Sequence, residues 1–294
     1  MSTYSLSRGG WLLLITVLLA LVTTVQPCAA AESVGLGEAL SSGDGGIDFR
    51  LRYEFVNADN LSNNSNALTL RTALSYRTQR WKGFDFFLEA VNVSAADDAS
   101  YATGPGPYSN GIDNRPVVPD PELTLFTQVY LGFESAGTRA RLGTQEINLD
   151  DQRFIGGVGW RQNHQRFESF RLSNNSLAKA TFNVVAMSRV HRITGVSQGM
   201  TTFLLNGKYD FSKAVALTLY AYMIDFDLQS LWGASTATFG GRANGSFSVG
   251  SFNVPYEAQF AHQTDFATNP DTLSQNYTHL MAGLRRWGVK LRKT

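Results

Sequence analysis

From residue 48 onward, the chain breaks into a series of segments in which polar and apolar residues alternate. This period of two constrains the fold more than any other feature of the chain. Asp48, Arg50, Arg52 and Glu54 alternate with Phe49, Leu51, Tyr53 and Phe55. Leu68, Leu70, Leu74 and Tyr76 alternate with Thr69, Arg71, Ser75 and Arg77. Phe84, Phe86 and Leu88 oppose Asp85 and Glu89, and Leu123, Leu125, Val129 and Leu131 oppose Thr124, Gln128 and Tyr130. Arg139, Arg141 and Gln145 mark one face of the next segment. Further on, Phe203, Leu205 and Tyr209 stand against Asn206 and Lys208, and Val254, Tyr256, Ala258 and Phe260 against Asn253, Glu257 and Gln259. Side chains of a strand point alternately to its two faces, so each segment reads as a strand with one oily and one polar face. Twelve such segments can be drawn, the sixth (Gln165 to Leu172) and tenth (Thr236 to Asn244) being the weakest.

Alternation alone fits a soluble or a membrane barrel, and the connections separate the two. Long links (NADNLSNNSN, the stretch from Ser94 to Pro121, the stretch after Gln145, HRITGVSQG, FDLQSLWGAS, TDFATNPDTLSQN) take turns with short ones (TQRWKG, ESAG, SNNS, DFSK, NGSFS). Outer-membrane barrels have tight turns at one end and long loops at the other, whereas a sandwich gives no reason for strict alternation. Trp81 and Trp287 fall beside short turns and Trp160 and Trp232 in long loops, which suits aromatic girdles at two interfaces.

The N-terminus agrees with export. Arg8 precedes an apolar run from Trp11 to Val25, and Pro27-Cys28-Ala29-Ala30-Ala31 offers small residues for cleavage, so residues 1–31 read as a secretory signal peptide and 32–294 as the barrel. The only cysteine leaves with the signal, which excludes a disulfide. Without Arg8, the 25 Lys+Arg become 24 against 24 Asp+Glu; this balance argues against nucleic acid as a partner.

The stretch GTQEINLDDQRFIGGVGWRQNHQRFESFRL, Gly143 to Leu172, resembles the central signature of the alginate export family of bacterial outer-membrane barrels. The matching pieces are Gly143, Gln145, Leu149 to Phe154 with Gly156, Trp160 to Asn163, and the closing FRL; RYEF, TLRTALSYRT and QVYLGFES also look like the family's. The likeness covers most of residues 47–284. It implies a monomeric, porin-like barrel in outer-membrane lipid that passes or exports an anionic polysaccharide or other small solutes. Family members are longer, with more strands, and such barrels generally end on a terminal aromatic residue. This chain ends LRRWGVKLRKT in what reads as a thirteenth strand. The expectation is therefore an all-β, antiparallel transmembrane β-barrel of about twelve strands, with C-terminal strands of the family missing and closure incomplete.

Barrels of this strand number leave an aqueous lumen, which the polar faces would line. Arg50, Arg52, Arg71, Arg77, Arg139, Arg141, Arg171, Arg189, Arg242 and Arg285, with Lys208, fall on those faces. A ladder of guanidiniums suits a polyuronate or another organic anion, because each is permanently charged and forks onto carboxylates. The opposing reading pairs each arginine with Asp48, Glu54, Asp85, Glu89, Glu168 or Glu257 for stability alone. In the loop after Gln145, Gly156, Gly157 and Gly159 permit a tight fold, with Arg153, Arg161 and Arg166 directed at a constriction and Asp150 and Asp151 anchoring it to wall arginines. The alternative is a surface loop whose charges pair locally.

The remaining constellations are weak. His164, His191, His262 and His279 are too scattered for a metal site, and the Asp/Asn-rich links lack calcium-loop spacing, so no metal or cofactor is expected. Ser169 near His164 and Asn163 lacks the context of a hydrolytic triad. The function expected is a passive outer-membrane channel for anionic solutes, with no reaction catalysed. A general or differently specific porin is the alternative, and a barrel esterase a third reading.

Overall fold

The computed structural model describes residues 34–286 and 289–293. The expected signal peptide with Cys28, and Trp287 of the expected girdle, lie outside the described residues. A short helix, α1 (Leu36–Ser41), precedes thirteen strands: β1 (Asp44–Val56), β2 (Ser65–Arg77), β3 (Phe84–Ala95), β4 (Leu123–Ser135), β5 (Thr138–Gln145), β6 (Arg166–Asn174), β7 (Ala180–His191), β8 (Ser197–Asp210), β9 (Ala216–Phe226), β10 (Thr236–Val249), β11 (Phe252–Asp265), β12 (Ser274–Arg286) and β13 (Val289–Lys293). They form one antiparallel sheet in chain order, and among the described residues β1 and β13 do not pair with each other. This is the incomplete closure expected.

Register puts like faces together. Arg50 pairs with Arg71 and Leu51 with Leu70 across β1 and β2; Arg141 pairs with Arg171 and Leu142 with Phe170 across β5 and β6. One face is therefore oily throughout: Phe49 is 67% exposed, Leu51 71%, Leu142 61%, Leu219 60% and Leu280 76%. A band of large apolar side chains left so open is untenable in water and is what a lipid-facing barrel wall presents. Among the described residues, no helix is long and apolar enough to cross a membrane.

Three expectations are corrected. Leu123 and Leu125 share a face with Val91 and Val93, not with the outward Leu131. The β3–β4 register shifts between Glu89 and Ala90, opposite the buried Thr127, and one extra residue turns the rest of the strand over. The expected turn NGSFS lies inside β10, paired with β11 from Asn244↔Glu257 to Ser248↔Asn253, and the turn falls at Gly250, whose φ of +59° suits glycine. The long link HRITGVSQG shrinks to residues 192–196, because β8 starts at Ser197; it is no longer than the link 211–215 at the opposite end.

The core lies on the concave side. Ile147, Leu149 and Ile155, from the connection between β5 and β6, pack with Val185, Met187, Leu204, Tyr220, Tyr222 and Ala261 of the wall. A loop thus supplies one side of the main hydrophobic cluster, which seats it inside the curve of the sheet.

Candidate functional site

This third loop, residues 146–165, crosses the concave face from one set of strands to another. On the near side Arg50 of β1 donates to three loop acceptors: from Nη1 to the Gly159 carbonyl at 2.8 Å, from Nη2 to the Arg161 carbonyl, and from Nε to Gln162 Oε1 at 3.1 Å. Gln162, fully buried, returns bonds from Nε2 to Thr69 O at 3.0 Å, Thr69 Oγ1 at 2.9 Å and Arg50 O at 3.2 Å. On the far side Asp150 Oδ2 accepts from Asn206 Nδ2 at 2.7 Å and from the Tyr222 hydroxyl at 3.2 Å, and its other oxygen lies 4.0 Å from Arg242. The Phe154 ring sits 5.8 Å from both Tyr220 and Tyr277, and the Arg153 guanidinium lies 4.9 Å over Tyr277. Asp151 is exposed, and its carboxylate accepts from the Arg153 N–H.

The loop's tight turns do not use its glycines. Positive φ falls on Asp150 (52°), Gln152 (62°) and Val158 (52°), and a β-branched residue there stores about 1–3 kcal/mol of strain. Gly157 serves close approach instead, since a Cβ there would collide with the Glu146 side chain. Burial pushes the Asp150 carboxyl above the usual carboxylate range despite its three polar partners. Glu146 is held below that range, chiefly by its hydrogen bond from His164 at 3.3 Å.

Where the third loop meets β1, a second loop, residues 96–122, joins it. Asp120, 1% exposed, accepts the Gln162 N–H at 2.9 Å; its Oδ2 lies 3.3 Å from Arg161 Nη1 and 3.5 Å from Arg52 Nε. Glu54 completes the group, 3.0 Å from Arg161 and 2.5 Å from Arg52. Trp160 covers it, its ring 4.0 Å from the Arg161 guanidinium and 5.0 Å from that of Arg52. Trp160 therefore lies over these interior cations and not in an outward girdle.

The other expected cations divide. Arg71 pairs with Asp48 at 2.5 Å and approaches Glu89 at 3.9 Å; Arg77 pairs with Asp85 at 2.5 Å and donates to the Tyr130 hydroxyl at 2.7 Å. Lys208 pairs with its strand neighbour Asp210 at 2.8 Å. Arg139 lies 3.8 Å from Asp85 and 3.6 Å from Glu134. Arg171 donates to Asn183 Oδ1 at 2.8 Å, Arg141 lies 4.9 Å from the Tyr130 ring, and neither forms an ion pair among the described residues. Together with Arg139 and Ser173 they line an inward cavity of about 120 Å³. Arg189 stands elsewhere: it pairs with Glu168 at 3.5 Å on the face of Thr144 and Leu142, which is the outer one. Ser188 is the extra residue of a bulge there, so the register seats Arg189 opposite Glu168.

Sequence reading gave no anchoring role to Asp120, Gln162 or Asn206, each bonded to a residue distant in the chain, although Gln162 lies in the matched run Trp160 to Asn163 and Asn206 on a polar strand face. Ser169 Oγ bonds the Phe167 carbonyl, His164 faces Glu146, and Asn163 donates to Ile193 O, so these three do not assemble into a triad.

A single antiparallel sheet with one oily face, a polar concave face and a loop folded across its hollow defines a porin-type outer-membrane β-barrel fold. The chain belongs to the alginate export family, whose profile matches residues 43–276. No curated protein matches it significantly. Among solved structures, OccD3 (OpdP) of Pseudomonas aeruginosa is 14% identical and superposes with a TM-score of 0.64 over 88% of this chain and 57% of its own. OccK2 (OpdF) of the same organism, solved in complex with glucuronate, is 14% identical with a TM-score of 0.60 over 84% and 62%. OccAB1 of Acinetobacter baumannii is 10% identical with a TM-score of 0.64 over 87% and 65%. The chain thus spans 57–65% of the length of these barrels.

Proposed function

We propose that the chain forms the wall of a passive outer-membrane channel for anionic solutes, acidic sugars and polyuronates above all, and that it is exported by residues 1–31 and inserted as a monomer. No reaction is catalysed; the solute is drawn in by the field of the interior and sorted by the third loop. One observation carries the reading: Arg141 and Arg171 face each other on neighbouring strands beside Arg139, open to a cavity and lacking carboxylate partners among the described residues. Rings of arginine select anions, because a guanidinium held without its own counter-charge takes one from the solute. The family, and a distant structural relative solved with glucuronate, favour a carboxylated sugar over an inorganic anion.

The test is a reversal potential in planar bilayers under a salt gradient, followed by block of the small-anion current by glucuronate. Anion selectivity with glucuronate block supports the proposal. Cation selectivity, or selectivity unchanged in Arg141→Gln/Arg171→Gln, overturns it.

A further inference from the structure

We propose that Asp120 is a positioning residue that joins the second and third loops into one constriction and silences Arg52 and Arg161 there. The solute then meets the arginines of β5 and β6 and not those of the seam.

The seam is assembled from three places in the chain: Arg52 and Glu54 from β1, Asp120 from the second loop, and Arg161 with Gln162 from the third. A buried carboxylate is tolerated only when its charge and lone pairs are met. Asp120 meets that demand with one backbone N–H and two guanidiniums, one oxygen facing the Gln162 N–H and the other lying between Arg161 and Arg52. Two cations and two anions therefore cancel in a compact group. Arg161 cannot turn toward a passing anion without abandoning the buried Asp120 carboxylate.

Asp120 is itself held on a firm base. The Tyr101 hydroxyl donates to the Asp120 carbonyl at 2.9 Å, and the Val118 N–H donates to Ala102 O at 2.8 Å. Tyr101 and Val118 are fully buried, and Ser65 of β2 donates to Pro116 O at 2.5 Å. The second loop is thus fixed to the wall before it reaches the third, and Asp120 is the point at which that fixity passes to Gln162 and Arg161.

The selectivity half of this proposal rests on the channel reading; the positional half does not, and two assays keep them apart. The first is tryptic cleavage of the folded protein in detergent at the exposed Arg153 of the third loop, with heat-modifiable gel migration confirming that each variant is folded. Asp120→Ala should speed cleavage about tenfold over wild type, and Asp120→Asn less, because the amide oxygen still accepts the Gln162 N–H. Asp120→Ala/Arg161→Ala should cleave more slowly than the two single effects combined would give, since the Asp120–Arg161 link is lost in both. Wild-type cleavage rates in both Asp120 variants, or additive effects in the double variant, overturn the positioning role. The second assay is selectivity in bilayers. Asp120→Asn should raise anion-over-cation permeability about two- to fivefold, as two guanidiniums lose a counter-charge. Unchanged selectivity overturns the silencing role, and a wild-type protein that carries no current removes it together with the channel reading.

Discussion

At the seam between β1 and the third loop, Arg52 and Arg161 are matched one for one by Glu54 and Asp120. Across β5 and β6, Arg139, Arg141 and Arg171 share one neighbourhood in which Asp85 and Glu134 reach only Arg139 among the described residues. Both groups lie on the concave face, and Arg52 stands in the same alternating strand pattern as Arg139, Arg141 and Arg171. The difference lies in what else is buried with them. A guanidinium sealed under a loop must bring its acid, while one lining a cavity without a carboxylate partner keeps its charge uncancelled. The first group holds the loop in place, and in the channel we propose the second would give the interior its sign.

Four changes would break or sharpen that contrast. Arg161→Ala strips Asp120 of its nearer cation and should cost about 3 kcal/mol of stability, read by chemical unfolding in micelles. A cost near zero would make the seam ornamental. Phe154→Ala removes the ring that wedges the far end of the loop among Tyr220, Tyr222 and Tyr277, and should cost about 2 kcal/mol by the same measurement. Arg141→Gln/Arg171→Gln should leave stability nearly unchanged yet lower anion-over-cation permeability about fivefold, equivalent to roughly 1 kcal/mol of lost attraction. A large stability loss there would erase the distinction between the groups.

The smallest effect is on pH dependence. Asp150, raised by burial, contributes stability that is full below the ordinary carboxylate range and is lost as pH rises through its raised value. Glu146, lowered mainly by its bond from His164, contributes stability above the ordinary range that is lost as pH falls through its lowered value. Asp150→Asn keeps an oxygen for Asn206 and Tyr222, so it should gain less than about 1 kcal/mol near neutral pH. It should flatten the fall in a melting-temperature profile as pH rises through the raised Asp150 value, and leave in place the loss at lower pH that Glu146 sets.

Much of this wall was legible in the sequence, because a period of two needs no partner to be read. Phe49, Leu51 and Tyr53 announce their face locally, and the register keeps Leu51 against Leu70. The reading failed where one inserted residue reset the phase. Leu123 and Leu125 continue the pattern of Leu131 on paper, yet the shift opposite Thr127 turns them inward, and the bulge at Ser188 carries Arg189 outward. Bulges depend on the partner strand and leave no mark in their own. The third loop was found through its charges and its family likeness, and Asp150 was read as an anchor, but most of the partners were not read. Asp120 meets Arg161 across 41 residues, Asp150 meets Asn206 across 56, and Arg50 meets Gln162 across 112. The expected partners of Asp150 were wall arginines, whereas an amide and a phenol lie nearest it, with Arg242 farther off.

Because the third loop is bolted to β1 and β2 at one end and to β8, β9 and β10 at the other, it behaves as a tie-rod across a hoop. Any flattening or swelling of the hoop must stretch or slacken the rod, so the aperture beside it and the curvature of the wall form a single mechanical variable.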